Sequence, residues 1–97
     1  MTTQKERELM CEIMNLAIDV TLAGGLYTIE TDYIAHIHAF DIRVLKGVEQ
    51  VKKNAQWAHL SGRHDLWTAE ESIGRLEQML AEVKTYHPQY DADGVKL

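Results

Sequence analysis

The stretch Leu26–Leu45, LYTIETDYIAHIHAFDIRVL, constrains the fold more than any other part of the chain. It is rich in β-branched and aromatic residues, it alternates, and a helix-patterned segment lies on each side of it. Tyr27, Ile29, Thr31 and Tyr33 share one face of an extended chain and Thr28, Glu30 and Asp32 the other, which is the period of a half-buried strand. The alternation resumes with Phe40, Ile42 and Val44 opposite Asp41 and Arg43. The spacing predicts a β-hairpin: a first strand over Leu26–Ile34, a turn within 35–39, and a second strand over Phe40–Lys46, closed by Gly47. A competing register keeps Tyr33–Phe40 extended and turns at Thr31-Asp32. The two differ in where His36 and His38 point.

On the N-terminal side, Thr3-Gln4-Lys5-Glu6 has the spacing of a capping box. Leu9, Ile13, Leu16, Ala17 and Val20 follow at helical spacing, and Met10, Met14 and Ile18 widen the stripe. Gly24-Gly25 ends this helix, predicted over Gln4–Leu22, because glycine enters the left-handed conformation without steric cost. Its apolar face is wider than a lone helix leaves wet. On the C-terminal side, Thr68-Ala69-Glu70-Glu71 is a second capping box, followed by Ile73, Leu76, Met79, Leu80 and Val83. That helix starts near Ala69 and stops by His87, since Pro88 cannot continue it.

Between hairpin and second helix, Val48–Asn54 reads as a long connection or one helical turn. Gln56–Ser61 reads as a short third strand, with Trp57 and His59 on one face and Ala58 and Leu60 on the other. Ser61 to Asp65 then makes a turn. Trp57 is expected in the core, and Trp67 packing the turn onto the second helix. The predicted fold is α+β, a helix, a three-stranded antiparallel β-meander and a helix, with both helices on one sheet face. Residues 1–90 form a single domain and 91–97 a polar tail.

A chain of 97 residues supports one core, burying somewhat over ~60% of its unfolded surface. The net charge of −5 argues against direct nucleic-acid binding, which needs a basic face. The only basic cluster, Lys46, Lys52 and Lys53, has Glu49 among it. Met1 runs into polar residues rather than a signal peptide, and no apolar run approaches the ~20 residues that span a bilayer. A cytoplasmic location is expected.

Nucleophilic catalysis finds no candidate. The single cysteine, Cys11, sits among apolar neighbours on the first helix and is expected to be a buried, inert thiol. Ser61 and Ser72 stand in no nucleophile motif. Asp91-Ala92-Asp93-Gly94 lacks the closing glutamate of a calcium loop. Met10 and Met14 beside Cys11 read as core filling rather than a soft-metal site. Histidine alone offers a metal alternative: His36 and His38 point the same way if both lie on one strand, with His59, or His64 beside Asp65, as a further ligand. The chain is expected to be no enzyme and to need no cofactor.

The segment Asp32–Gly47 resembles the hairpin of many short phage and prophage accessory proteins, in which a strand, a small-residue-His turn and an Asp-x-Arg strand precede an acidic C-terminal helix. The helix–meander–helix order is similar to that of some small anti-CRISPR inhibitors. Where those proteins carry a turn glycine, this chain has Ala35. The resemblance implies a mobile-element protein that binds and blocks a host protein or nucleic-acid machine. From the residues themselves, an acidic surface, a sheet face or a loop is the expected contact, with Glu30, Asp32, Trp67, Glu70 and Glu77 as candidate partner-binding residues. A homodimer formed through the first helix or a sheet edge is the further alternative.

Overall fold

Thr3 accepts the Glu6 backbone N–H on its hydroxyl and donates its own backbone N–H to the Glu6 carboxylate, closing the capping box that starts α1, Gln4–Leu22. The computed structural model describes residues 2–52, 56–62 and 67–88. The tail 91–97, its Asp91–Gly94 motif and the turn residues Arg63, His64 and Asp65 lie outside them. The helix presents Leu9, Ile13, Ala17 and Val20 inward, all buried, at the four- and three-residue spacing of one helical face. Gly24 takes φ +71 immediately after the Ala23 cap, the left-handed step that ends the helix.

The hairpin turns late, as the first of the two registers has it. β1, Tyr27–Ile34, and β2, Ala39–Lys46, pair antiparallel from Tyr27↔Lys46 to Ile34↔Ala39, joined by a 3-10 turn at Ala35–Ile37. His38 closes that turn at φ 48, the one non-glycine residue with positive φ among those described.

The third ladder is two segments rather than one. β3, Glu49–Val51, leaves β2 through the two-residue loop Gly47-Val48. Only Gly47 of that pair has positive φ, +64, the II′ arrangement suited to strand twist. β4, Trp57–His59, pairs with the other end of β2 through Ala39↔His59 and Asp41↔Trp57. Gln56 clamps the break between them: its side-chain amide donates to Val51 O at 2.8 Å and to Glu82 Oε2 at 3.0 Å. The connection expected at Val48–Asn54 therefore contains a strand, too short for its alternation to show.

α2 runs Ala69–Lys84, after which three i→i−3 bonds carry Thr85, Tyr86 and His87 to Pro88. Both helices contact each other and the sheet. Ile29, Phe40, Ile42, Val44, Ala58 and Leu60 meet Leu76, Met79, Val83 and the α1 face in one buried cluster. No helix among the described residues is long and apolar enough to cross a membrane.

At the centre of this packing lies a charge. Glu6 is fully buried, and beyond its capping role it accepts the Ser61 N–H (2.9 Å), the Ser61 hydroxyl and the Ser72 hydroxyl (2.6 Å). Burial by itself would raise this carboxyl. Hydrogen bonds from the two serine hydroxyls and from the Thr3 and Ser61 backbone outweigh it and bring the carboxyl down to about 2, from 4.5. One carboxylate thus joins α1, the segment after β4, and α2.

Two sequence expectations fail here. Trp57 is 48% exposed rather than core. Along β4 and the residues flanking it, Gln56, Ala58 and Leu60 are buried, so strand parity turns Trp57 and His59 to the other face. Cys11 is exposed rather than buried. Together with Met14 and Ile18, 45% and 50% exposed, it lies on the side of α1 away from the Leu9–Val20 face.

Candidate functional site

Residues paired across the ladders share a face, which sorts the sheet into two surfaces. Ile29 with Val44, Thr31 with Ile42, and Phe40 with Ala58 lie on the surface that carries the core. The other surface holds Glu30 with Arg43, Asp32 with Asp41 and Trp57, and Ile34 with Ala39 and His59. The hairpin's Asp-x-Arg strand therefore delivers both of its charges to the open face.

At the β4 edge this face becomes aromatic. The His59 ring meets Trp57 edge-on at 4.9 Å and 84°, and stacks on Trp67 at 4.7 Å and 16°. Trp67 stands just before α2, whose Thr68 hydroxyl accepts the Glu71 N–H at 3.1 Å. The Arg75 guanidinium lies 5.3 Å from the Trp57 ring centre, and its Nε donates to Trp57 O at 2.7 Å. That bond covers an outward carbonyl of an edge strand and fixes the indole against α2.

Between these rings and α2 is a groove of about 480 Å³, floored by Trp57, His59 and Trp67 and rimmed by Glu70, Glu71 and Gln78. Trp57 and His59 also border a smaller hollow with Ile34, Ile37 and Asp41. Asp41 in turn borders a polar hollow that includes Glu30, Asp32 and Arg43. The three share walls and form one track from the open sheet face round the β4 edge to the start of α2.

Charge along the track is mainly negative. Glu30 pairs with Arg43 at 2.8 Å, both side chains more than half exposed, so the pair adds little stability. Asp41 is pushed above its ordinary range by burial and by Asp32 beside it, which Arg43 only partly offsets. Glu70 and Glu71 form no ion pair among the described residues.

Of the predicted contact residues, the structure brings Glu30 and Asp32 to one end of this track and Trp67 and Glu70 to the other. Glu77 is exposed on α2 but does not line the groove. Sequence reasoning missed Asp41, His59 as part of an aromatic stack, and Arg75. The signal for the first two was available in parity, since Ala58 and Leu60 inside put Trp57, His59 and their neighbour Asp41 outside.

Among the described residues, His36, His38 and His59 do not converge on a metal site. His36 is exposed in the 3-10 turn and His59 is held between indoles. His38 is engaged at both ring nitrogens: Nε2 is 2.7 Å from Thr2 Oγ1 and 3.0 Å from Ser61 O, and Nδ1 is 2.8 Å from Tyr33 Oη. Thr2 donates its hydroxyl to Ser61 O, so Nε2 is the donor towards Thr2 Oγ1, and Nδ1 is left to the Tyr33 phenol. Among the described residues no three His, Cys, Asp or Glu side chains are arranged to hold a metal ion.

A second, more apolar hollow of about 370 Å³ lies between α1 and the hairpin, bordered by Met10, Cys11, Met14, Tyr33 and His38. It carries no carboxylate.

No family model matches the chain, and neither a curated protein nor a solved structure matches it.

Proposed function

We propose that the chain is a non-enzymatic, stoichiometric binding protein that engages a protein partner through the groove at Trp57, His59 and Trp67 and the acidic open sheet face beside it. The observation that carries this reading is the exposed aromatic stack. Two indoles left 48% and 36% exposed on a 97-residue domain are surface that the core does not use, and tryptophan is the residue type that most often anchors an interface. The bordering carboxylates supply orientation and encounter rate more than affinity. Acting in the cytoplasm as a mobile-element protein, such a binder blocks a host protein or nucleic-acid machine, the consequence implied by the phage-type hairpin.

A second reading has its own observation. Met14, Ile18, Leu22 and Leu26 are exposed along α1 and just past its end, at 45%, 50%, 78% and 68%. A homodimer would cover them.

Native mass spectrometry of the untagged protein, alone and after capture from a bacterial lysate, separates these readings. The binder reading expects one host protein in fixed ratio, retained by the wild type and lost from a Trp57→Ala/Trp67→Ala variant that keeps its circular dichroism. Capture indifferent to those two indoles would overturn it. A dimer that captures nothing, and that dissociates on Ile18→Glu, would establish the second reading.

A further inference from the structure

We infer that the groove between β4 and α2 is a receptor for arginine side chains carried on an extended basic segment of the partner. The inference rests on the binding reading above and names the chemistry that the site selects.

The floor is aromatic, and the electron-rich faces of indoles attract cations. Within the protein, the Arg75 guanidinium carbon already lies over the Trp57 ring, 5.3 Å from its centre, so this surface holds a guanidinium at cation–π distance. Arg75 also donates to Trp57 O, which fixes it on the α2 side of the indole. His59, Trp67, Gly74, Gln78 and the Glu70 and Glu71 carboxylates line the rest of the groove, and neither carboxylate has a cationic partner among the described residues.

An anionic ligand is disfavoured at the same place. The start of a helix attracts anions, but the first turn of α2 already carries two carboxylates, and Thr68 occupies the Glu71 N–H. Single-stranded nucleic acid also stacks on aromatics, but it needs a basic track for its phosphates. Here the track leads instead to Asp41, Asp32 and Glu30. Arginine fits better than lysine because a planar guanidinium stacks on an indole face and forks onto a carboxylate at once. The run of hollows along the sheet face suits an extended chain, whose successive outward residues reach Asp41 and then Glu70 and Glu71.

The probe is an acetylated, amidated Gly-Arg-Gly-Arg-Gly-Arg-Gly peptide, with citrulline and lysine versions as controls. The intrinsic fluorescence of the protein reports directly, because both of its tryptophans line the groove. The arginine peptide is expected to give a saturable change that weakens with added salt. The citrulline peptide, equal in shape but uncharged, and the variant E70Q/E71Q are each expected to show affinity lower by about tenfold. Trp67→Phe is expected to weaken binding more than Glu77→Gln, which lies off the groove.

Citrulline binding as tightly as arginine would overturn the inference, as would arginine binding unaffected by E70Q/E71Q. So would no saturable change with any peptide, even where the captured partner still depends on Trp57 and Trp67; that combination leaves the broader binding reading standing. Partner capture indifferent to both indoles fells the broader reading and the inference together.

Discussion

Glu6 on α1 and Ser72 on α2 are 66 residues apart in sequence and 2.6 Å apart across the core, carboxylate to hydroxyl. The same carboxylate takes the backbone N–H and hydroxyl of Ser61. A buried charge without a counter-ion is costly unless hydrogen bonds surround it, and here they do. One ionised side chain thus ties α1 to α2 and to the segment after β4.

Replacing that side chain by its neutral isostere tests the dependence. Glu6→Gln keeps the shape but turns an acceptor oxygen into a donor, facing the N–H groups of Thr3 and Ser61 and the hydroxyls of Ser61 and Ser72. The expected loss is about 3 kcal/mol in urea denaturation at neutral pH, with an unchanged m-value. Ser72→Ala removes one donor and is expected to cost about 1–2 kcal/mol. A Glu6→Gln protein as stable as wild type would show that the carboxylate is tolerated rather than required.

Acid should unfold the protein through the same group. The folded-state carboxyl is lowered to about 2 from 4.5, so the unfolded chain binds the proton more readily. Its contribution, about 3 kcal/mol from that difference, is fully present above the unfolded value. It is lost as the pH falls from about 4.5 towards 2. Asp41 has the opposite sign, since its folded carboxyl is raised and its protonation relieves the folded state. Denaturant midpoints measured from pH 6 to about 2 should fall steeply in wild type and much less in Glu6→Gln. Parallel curves for the two proteins would assign the acid limb elsewhere.

Both helices and the hairpin are legible in the chain because their signals are local: hydroxyl–carboxylate spacing at each helix start, three- and four-residue apolar spacing behind it, and alternation from Tyr27 to Val44. Glu6 shows where local reading stops. Its capping role follows from position relative to Thr3, but its burial follows from Ser61 and Ser72, which only the fold brings together. β3 is missed because three residues cannot display a period. Trp57 is exposed despite its size because strand parity, set by the buried Ala58 and Leu60, turns it outward. For the site, the acids on the first strand and at the start of α2 were visible, but their connection through Asp41, Trp57 and His59 exists only once β4 is laid against β2.

Cys11 provides a direct check on how α1 sits. Its neighbours Met10 and Met14 suggest a core position, but the thiol is exposed and borders the hollow near Tyr33. A thiol reagent such as dithionitrobenzoate should label the native protein without denaturant, at a rate within a few-fold of the urea-unfolded chain. Labelling that waits for unfolding would mean that α1 is covered, by rotation of the helix or by a second copy. Repeating the assay across protein concentrations tells those two apart, because only a dimer makes protection depend on concentration.

The charge of the open face can be reversed without touching the core. Glu30 and Asp32 project from β1 beside Arg43 and Asp41, on the side of the sheet away from the helices. Glu30→Lys removes an exposed ion pair, which is worth at most about 1 kcal/mol. Asp32→Lys replaces a like-charged neighbour of Asp41 with an opposite one, so the Asp41 carboxyl should move down towards its ordinary range. NMR titration of Asp41 reads that shift independently of any partner. The double variant should remain folded and should lose the partner captured by the wild type, because an arginine-bearing segment would then meet two lysines on the approach to the Trp57 groove. If Asp41 shifts as expected while capture is undiminished, the sheet face is not part of the contact and the interface is confined to the β4–α2 edge.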